Sequence, residues 1–307
     1  MRVITENEIR PLCISSVVTV GNFDGVHVGH QALIKRCQEQ AETGQQVVVV
    51  TFEPLPQAWF SPAMAPARLS SVAQKLELFE QSGVDLVWVM RFNQLLADIT
   101  ANVFAETVLS TSLSATRVVV GDDFRFGRAR EGDLEMLIEL GMRFEFEVDT
   151  LTGVEAGGTR ASSTAIREAL AAGDFKRACA LLGRAFTMQG KVIRGQKLGR
   201  KLGYPTANMK LEAEPSPLSG VFAVRTRLHN EGSWMNAVAS LGKRPAVGGT
   251  EFLVEVHIFD YENELYGQRL EVEYVAKIRE EEDFENMDLL IAQMKKDERC
   301  AREILRA

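Results

Sequence analysis

The first half of the chain alternates short apolar runs with amphipathic stretches, and the second half does not. Residues 17–21 form a short apolar run and 47–52 a β-branched one, and 84–90, 117–120 and a stretch around 143–148 read as three further strands. Between them, 30–43, 71–81, 101–109 and 131–140 carry apolar residues at helical spacing, and Gly44, Gly83 and Gly141 supply helix stops. Apolar strands separated by amphipathic helices predict a parallel sheet covered on both faces. Ligands of such sheets bind beyond the carboxyl ends of the strands. Chemistry is therefore to be sought just after the first, second and fourth runs.

Past about residue 153 the grammar changes. Residues 163–172 and 175–182 read as two short helices, the second ended by Gly183. From 186 to 276 the signals are those of an all-β unit, with strands expected at 186–193, 220–228, 234–241, 251–259 and 269–278. Leu253, Glu255 and His257 alternate with Val254, Val256 and Ile258, a period-two pattern. A closing helix over 287–305 places Leu290, Ile291, Met294 and Ile304 on one face. The domain boundary falls near Gly183, giving domains 1–183 and 184–307.

The 307 residues suffice for two cores, and the hydrophobic and charged fractions are ordinary for a globular protein. A net charge of −7 argues against nucleic-acid and membrane-surface partners, which call for a basic face. A phosphate-bearing ligand must then be held by a local pocket. Residues 1–12 contain no signal-length apolar core, and no run approaches a membrane span. Cys13, Cys37, Cys179 and Cys300 lack CxxC spacing, so reduced thiols and a cytoplasmic location are expected.

The most informative motif is Gly21-Asn22-Phe23-Asp24-Gly25-Val26-His27-Val28-Gly29-His30, between the first strand and the first helix. Two imidazoles three residues apart at a helix start both donate to one anion, and the helix N-terminus adds free N–H groups and a favourable dipole. Zinc would require a third ligand, yet the chain has only two other histidines and no HExxH. Ser162-Ser163-Thr164-Ala165-Ile166-Arg167 opens another helix. It reads as an ordinary N-cap and also suits a triphosphate, with Arg167 supplying a charge-assisted fork. Gly121-Asp122-Asp123-Phe124-Arg125-Phe126-Gly127 follows the fourth strand. Phe124 and Phe126 fit either core or a ligand loop, and the neighbouring Arg125, Arg128 and Arg130 favour the loop.

The second half offers Gly195-Gln196-Lys197-Leu198-Gly199-Arg200-Lys201-Leu202-Gly203-Tyr204-Pro205-Thr206-Ala207-Asn208. This is not GxxxxGK[ST], but it is basic and glycine-rich. Alone it would read as a solvated hairpin loop. In an extended chain Thr206 and Asn208 point the same way. With phosphate oxygens and waters they complete an octahedral Mg²⁺ shell.

GNFDGVHVGH, GDDFRFG and SSTAIR, in that order, resemble the adenylyltransferase half of the prokaryotic bifunctional riboflavin kinase/FAD synthetase family, and more widely the HxGH nucleotidyltransferases. The segment 195–208 resembles the GxxxGxxxGFPTAN signature of riboflavin kinases, with Tyr204 for the common Phe. That match continues through Gly220-Val221-Phe222-Ala223-Val224, Glu255-Val256-His257-Ile258-Phe259-Asp260, Leu265-Tyr266-Gly267 and Ile278-Arg279. The resemblance covers nearly the whole chain. It implies an α/β protein: a Rossmann-like doubly wound parallel sheet, then an antiparallel β-barrel with a terminal helix.

It further implies that Gly21, Asn22, Phe23, His27, His30, Ser162, Ser163, Thr164 and Arg167 hold ATP, and that Asp123, Phe124 and Phe126 lie beside flavin. In the barrel it implies Gly195, Lys197, Gly199, Arg200, Gly203, Thr206 and Asn208 on ATP, Mg²⁺ on Thr206 and Asn208, and Glu255 as base. Three positions depart from the family: Leu55 replaces a His in Thr51-Phe52-Glu53-Pro54-Leu55-Pro56, and Ser240 and Ala246 replace an Asn and a Thr.

The chemistry agrees with these parts. A phosphate monoester attacking the α-phosphorus of ATP is already anionic, so alignment and charge neutralisation suffice. A riboflavin hydroxyl must lose a proton, which calls for a carboxylate. The expectation is riboflavin to FMN in the barrel and FMN to FAD plus pyrophosphate in the sheet domain. An FAD synthetase with a regulatory flavin-binding barrel, or a cytidylyltransferase on a small phosphate ester, are the alternatives.

Overall fold

The computed structural model describes residues 1–5, 11–12, 14–194, 204–229, 231–246 and 249–306. Its contacts divide the chain into two compact units, one of Met1–Pro66 and Val72–Ser162, the other of Ala67–Ser71 and the chain from Ser163 onward.

The first unit is built on a six-stranded parallel sheet. In chain order it contains β1 (Arg2–Ile4), β2 (Ser16–Val20), α1 (Val28–Gln40), β3 (Gln46–Glu53), α2 (Pro56–Phe60), α3 (Val72–Gln81) and β4 (Leu86–Arg91). It continues with β5 (Ala115–Gly121), α4 (Leu134–Phe144), β6 (Glu147–Leu151) and a small hairpin, β7 (Glu155–Ala156) and β8 (Thr159–Arg160). The spatial order β1-β4-β3-β2-β5-β6 reverses direction at β2, which is flanked by β3 and β5. Loops after β2 and β5 therefore face the switch point, where a doubly wound sheet leaves a crevice.

All five residues of β2 are buried, as its valine-rich sequence predicts for a central strand. Val18, Val20, Val48, Val50 and Trp88 fill one side of the sheet, and Val49, Val87 and Val89 pack with Ile34 and Phe79 on the other. Three expectations need correction. The three-residue β1 was too short to be read from pattern. The helix expected over 101–109 is α-helical only at Ala101–Val103 and runs on as a π-helix over Phe104–Ser112. Gly141 does not stop α4, which continues to Phe144 and is capped by Glu145 at φ 63°. A Cβ on Gly141 would sit 2.5 Å from the Phe146 carbonyl, so this glycine permits a close approach instead, and the strand expected from 143 begins at 147.

The second unit opens with α5 (Ser163–Ala171) and α6 (Phe175–Leu182), which group by contacts with the barrel strands. The reason is aromatic: Phe175 meets Phe222 edge-on at 6.0 Å and lies parallel to Tyr274 at 6.4 Å. β9 (Thr187–Ile193), β10 (Ala207–Leu211), β11 (Gly220–Leu228), β12 (Glu231–Ala246), β13 (Gly249–Ile258) and β14 (Arg269–Arg279) close an antiparallel barrel in the order β10-β13-β12-β11-β14-β9. β10 is an addition to the expected strands. Val254, Val256 and Ile258 are buried while Leu253, Glu255 and His257 are half-buried, which confirms the alternation along β13.

The terminal helix α7 (Met287–Arg306) buries Asp297, Ala301 and Leu305, so its seam lies toward the C-terminal end of the face expected from Leu290, Ile291 and Met294. Ala301 and Leu305 pack with Ala223 and Phe259 on the outside of the barrel. Asp297 answers the Arg279 guanidinium at 2.8 Å, pairing a charge that could not otherwise be buried.

Candidate active sites

The backbone leaves β2 through a strained turn. Phe23 has φ 50° and Val26 φ 40°, left-handed values that bulky residues adopt only when the surroundings over-determine them. Phe23 is fully buried, edge-on to Phe79 at 5.4 Å and 4.8 Å from the His30 ring, which anchors the turn. His27 is the N-cap of α1, and its Nδ1 accepts the His30 backbone N–H at 3.4 Å. That bond leaves the proton of the neutral ring on Nε2. The two imidazoles stack at 3.6 Å with a 20° interplanar angle. A Cβ on Gly29 would lie 3.1 Å from the His27 ring, so glycine there makes room for it. His27 is only 7% exposed, whereas His30 is half-buried. Gly21, Asn22, Phe23, His27 and His30 are thus brought together at one strand end, and Asn22 is exposed.

Sequence reasoning missed a cation under this turn. Lys75 on α3 is 1% exposed, and its Nζ lies 3.4 Å from both the Asn22 carbonyl and Thr51 Oγ1, and 3.9 Å from the Glu53 carboxylate. Thr51, also buried, donates to the same Asn22 carbonyl at 3.1 Å.

The loop after β5 splits between two roles. Phe124 and Phe126 stack at 5.4 Å with 15° between planes, sharing a face as expected. Phe126 is buried and packs with the sheet core, while Phe124 stays half-buried and Asp123 exposed. Arg160 on β8 pairs with Asp122 and lies 3.5 Å from Asp123. Arg125, Arg128 and Arg130 are exposed.

In the second unit, α5 begins at Ser163. Thr164 is exposed, Ser162, Ser163 and Arg167 are half-buried, and Arg167 Nε donates to the Ala67 carbonyl at 2.6 Å.

The barrel assembles its candidates by register. Asn208 on β10 is directly opposite Glu255 on β13, and Glu255 is opposite Ser240 on β12. Directly opposed residues share a face with Cβ atoms about 5 Å apart, so Asn208, Glu255 and Ser240 stand in one row. Beside them the Pro205 carbonyl accepts from His257 Nδ1 at 2.9 Å, which fixes the neutral ring's proton on that nitrogen. The Tyr204 ring lies 5.2 Å from the His257 ring. Burial and the nearby Glu298 carboxylate raise the Tyr204 phenol above its ordinary value. Thr206 lines a cavity of about 400 Å³ with Val192, Ala207, Val256, Ile258 and Tyr266. Gly195, Lys197, Gly199, Arg200 and Gly203 lie outside the described residues.

Residues 11–165 match the FAD synthetase family, and residues 182–305 match the riboflavin kinase family. A bifunctional riboflavin kinase/FMN adenylyltransferase of Haemophilus influenzae is 42% identical over 93% of this chain and 92% of its own. This chain belongs to the bifunctional riboflavin kinase/FMN adenylyltransferase family. The Pseudomonas fluorescens member is also 42% identical, over 97% and 96% of the two chains. A solved structure described as a macrolide-efflux protein from Streptococcus pneumoniae aligns with 98% of this chain and 99% of its own, at TM-score 0.82 and 31% identity. Among the described residues no helix is long and apolar enough to cross a membrane. The chain is an enzyme of flavin-cofactor synthesis, with an FAD synthetase region followed by a riboflavin kinase region.

Two of the three positions expected to depart from the family have visible surroundings. Leu55 is buried and precedes α2, so it packs rather than offering a donor. Ser240 donates to Glu281 at 3.1 Å, and a Cβ on Gly242 would clash with that carboxylate. Glu281 was missed because it sits in a run of acidic residues, 280–283, that reads as a solvated face.

Proposed function

We propose that the two activities use the residues named above, the FMN adenylyltransferase within 1–183 and the riboflavin kinase within 184–307. In adenylyl transfer, His27 and His30 with the N-terminus of α1 bind ATP phosphates, aided by Ser162, Ser163, Thr164 and Arg167. Gly21, Asn22 and Phe23 shape the nucleotide site. Asp123, Phe124 and Phe126 form the flavin side, with the half-buried Phe124 ring as the stacking surface. The FMN phosphate oxygen attacks the α-phosphorus, the bond to the β-phosphate bridge breaks, and pyrophosphate leaves with its charge met by imidazole, guanidinium and N–H groups. The observation that carries this reading is the stacked histidine pair at the head of α1, beside the sheet's switch point.

In the kinase, Glu255 accepts the riboflavin hydroxyl proton as the oxygen attacks the γ-phosphorus, the bond to the β–γ bridging oxygen breaks and ADP leaves. Its place abreast of Asn208 supports the role. Thr206 and Asn208 would hold Mg²⁺, and their neutral oxygens fit a hard cation that keeps waters and phosphate oxygens as its remaining ligands. When bound, that ion neutralises charge on the transferred phosphoryl group. Gly195, Lys197, Gly199, Arg200 and Gly203 are further ATP-binding residues of this reading. The reading places the enzyme in the cytoplasm as a partner of riboflavin, FMN and ATP only.

The test is chromatography of products from riboflavin, ATP and Mg²⁺ with the purified protein. FMN appearing first and FAD following supports both assignments. FAD formed from FMN but never from riboflavin leaves the synthetase with a regulatory barrel.

A further inference from the structure

A lysine buried in an apolar interior normally extends its stem so that the ammonium reaches water. Lys75 does the opposite. It projects from α3, whose apolar positions face the sheet, and buries its head group at the carboxyl ends of β2 and β3. There it converges with Thr51 on a single acceptor, the Asn22 carbonyl. That carbonyl belongs to the peptide entering Phe23, the first of the two non-glycine residues in this turn with left-handed backbone angles. Four residues beyond Phe23 the same segment delivers the His27 ring to the N-cap of α1. Two donors on the carbonyl before a strained residue supply the over-determination that such a backbone needs.

We propose that Lys75 is a positioning residue for adenylyl transfer: its buried ammonium, with the Thr51 hydroxyl, holds the Asn22 carbonyl and so fixes the turn that presents Asn22, His27 and His30. This inference rests on the reading of His27 and His30 as phosphate ligands. Glu53 at 3.9 Å serves as the counter-charge that allows the ammonium to be buried. A lysine present only to pair with Glu53 would make the turn indifferent to it. A lysine that holds the turn makes the chemistry of transfer sensitive to it, since small misplacements of aligned groups are costly in rate.

The test uses the full chain, with FAD formation from FMN and FMN formation from riboflavin measured on the same preparations. Lys75→Met is expected to lower kcat for FAD formation about 10- to 100-fold. KM for FMN should move less than about threefold and FMN formation less than twofold. Thr51→Val, which removes the second donor, is expected to cost less, and the double variant to cost less than the product of the two, because both act through one carbonyl. Glu53→Gln should be milder than Lys75→Met. Lys75→Met with FAD formation within twofold of the parent, or Glu53→Gln matching its loss, overturns the proposal. If Lys75→Met loses both activities by unfolding, Thr51→Val decides: a selective fall in FAD formation supports the proposal, and no change overturns it. His27→Ala/His30→Ala run alongside separates the two failures. If that variant still makes FAD, the site reading fails; if it does not while Lys75→Met does, only the role of Lys75 fails.

Discussion

The two proposed sites of this chain are made in different ways. In the sheet unit, one continuous segment, residues 21–30, carries the turn, the helix N-terminus and both histidines. Its precision comes from local strain held down by neighbours: buried Phe23, Thr51 and Lys75. In the barrel, Asn208, Ser240 and Glu255 come from three strands and meet only because the register sets them side by side. There the strand ladder does the positioning. A site of the first kind is written in a stretch of sequence, whereas a site of the second kind is written in pairing.

The comparison breaks most easily at the histidines. Replacing both His27 and His30 by Ala is expected to lower FAD formation from FMN by ~10³-fold or more, since donors aimed at developing charge are each worth roughly 10²-fold. FMN formation should stay within twofold, and loss of both activities in a folded variant would contradict separate sites. Glu255→Ala is the counterpart. Removing a general base costs about 10²–10⁴-fold, so FMN formation should collapse while supplied FMN is still adenylated. A smaller effect separates the units by stability. Asp297→Ala leaves the half-buried Arg279 guanidinium without its carboxylate, at a cost of about 3 kcal/mol. On heating, FMN formation should then fail before FAD formation, by roughly 10 °C in Tm of the barrel unit. Simultaneous loss would show the two units melting together.

This difference also decides what was readable from the chain alone. The parallel sheet was legible because β2, β3 and β4 are dominated by apolar, largely β-branched residues, and the barrel's alternation because Val254, Val256 and Ile258 are all buried. GNFDGVHVGH announced its place between strand and helix. Gly141 misled because a glycine near a helix end reads as a stop, although here it admits the Phe146 carbonyl. β10 escaped because its five residues carry no long apolar run. Lys75 escaped because a lysine in an amphipathic helix reads as surface, and only the three-dimensional structure reveals that it is buried on Asn22. Asp297 escaped likewise: a charge on the seam of α7 makes sense only once Arg279 is opposite. Glu255 was singled out through family resemblance, since an alternating strand alone would make it a solvent-facing residue.

Separate sites on one chain can be tested by complementation. The His27→Ala/His30→Ala variant and the Glu255→Ala variant are each given riboflavin, ATP and Mg²⁺, singly and mixed, and FAD is quantified by chromatography. Alone, the first should stop at FMN and the second should make neither product; mixed, they should make FAD. A mixture that yields no more FAD than the better single variant contradicts two independent sites joined by released FMN.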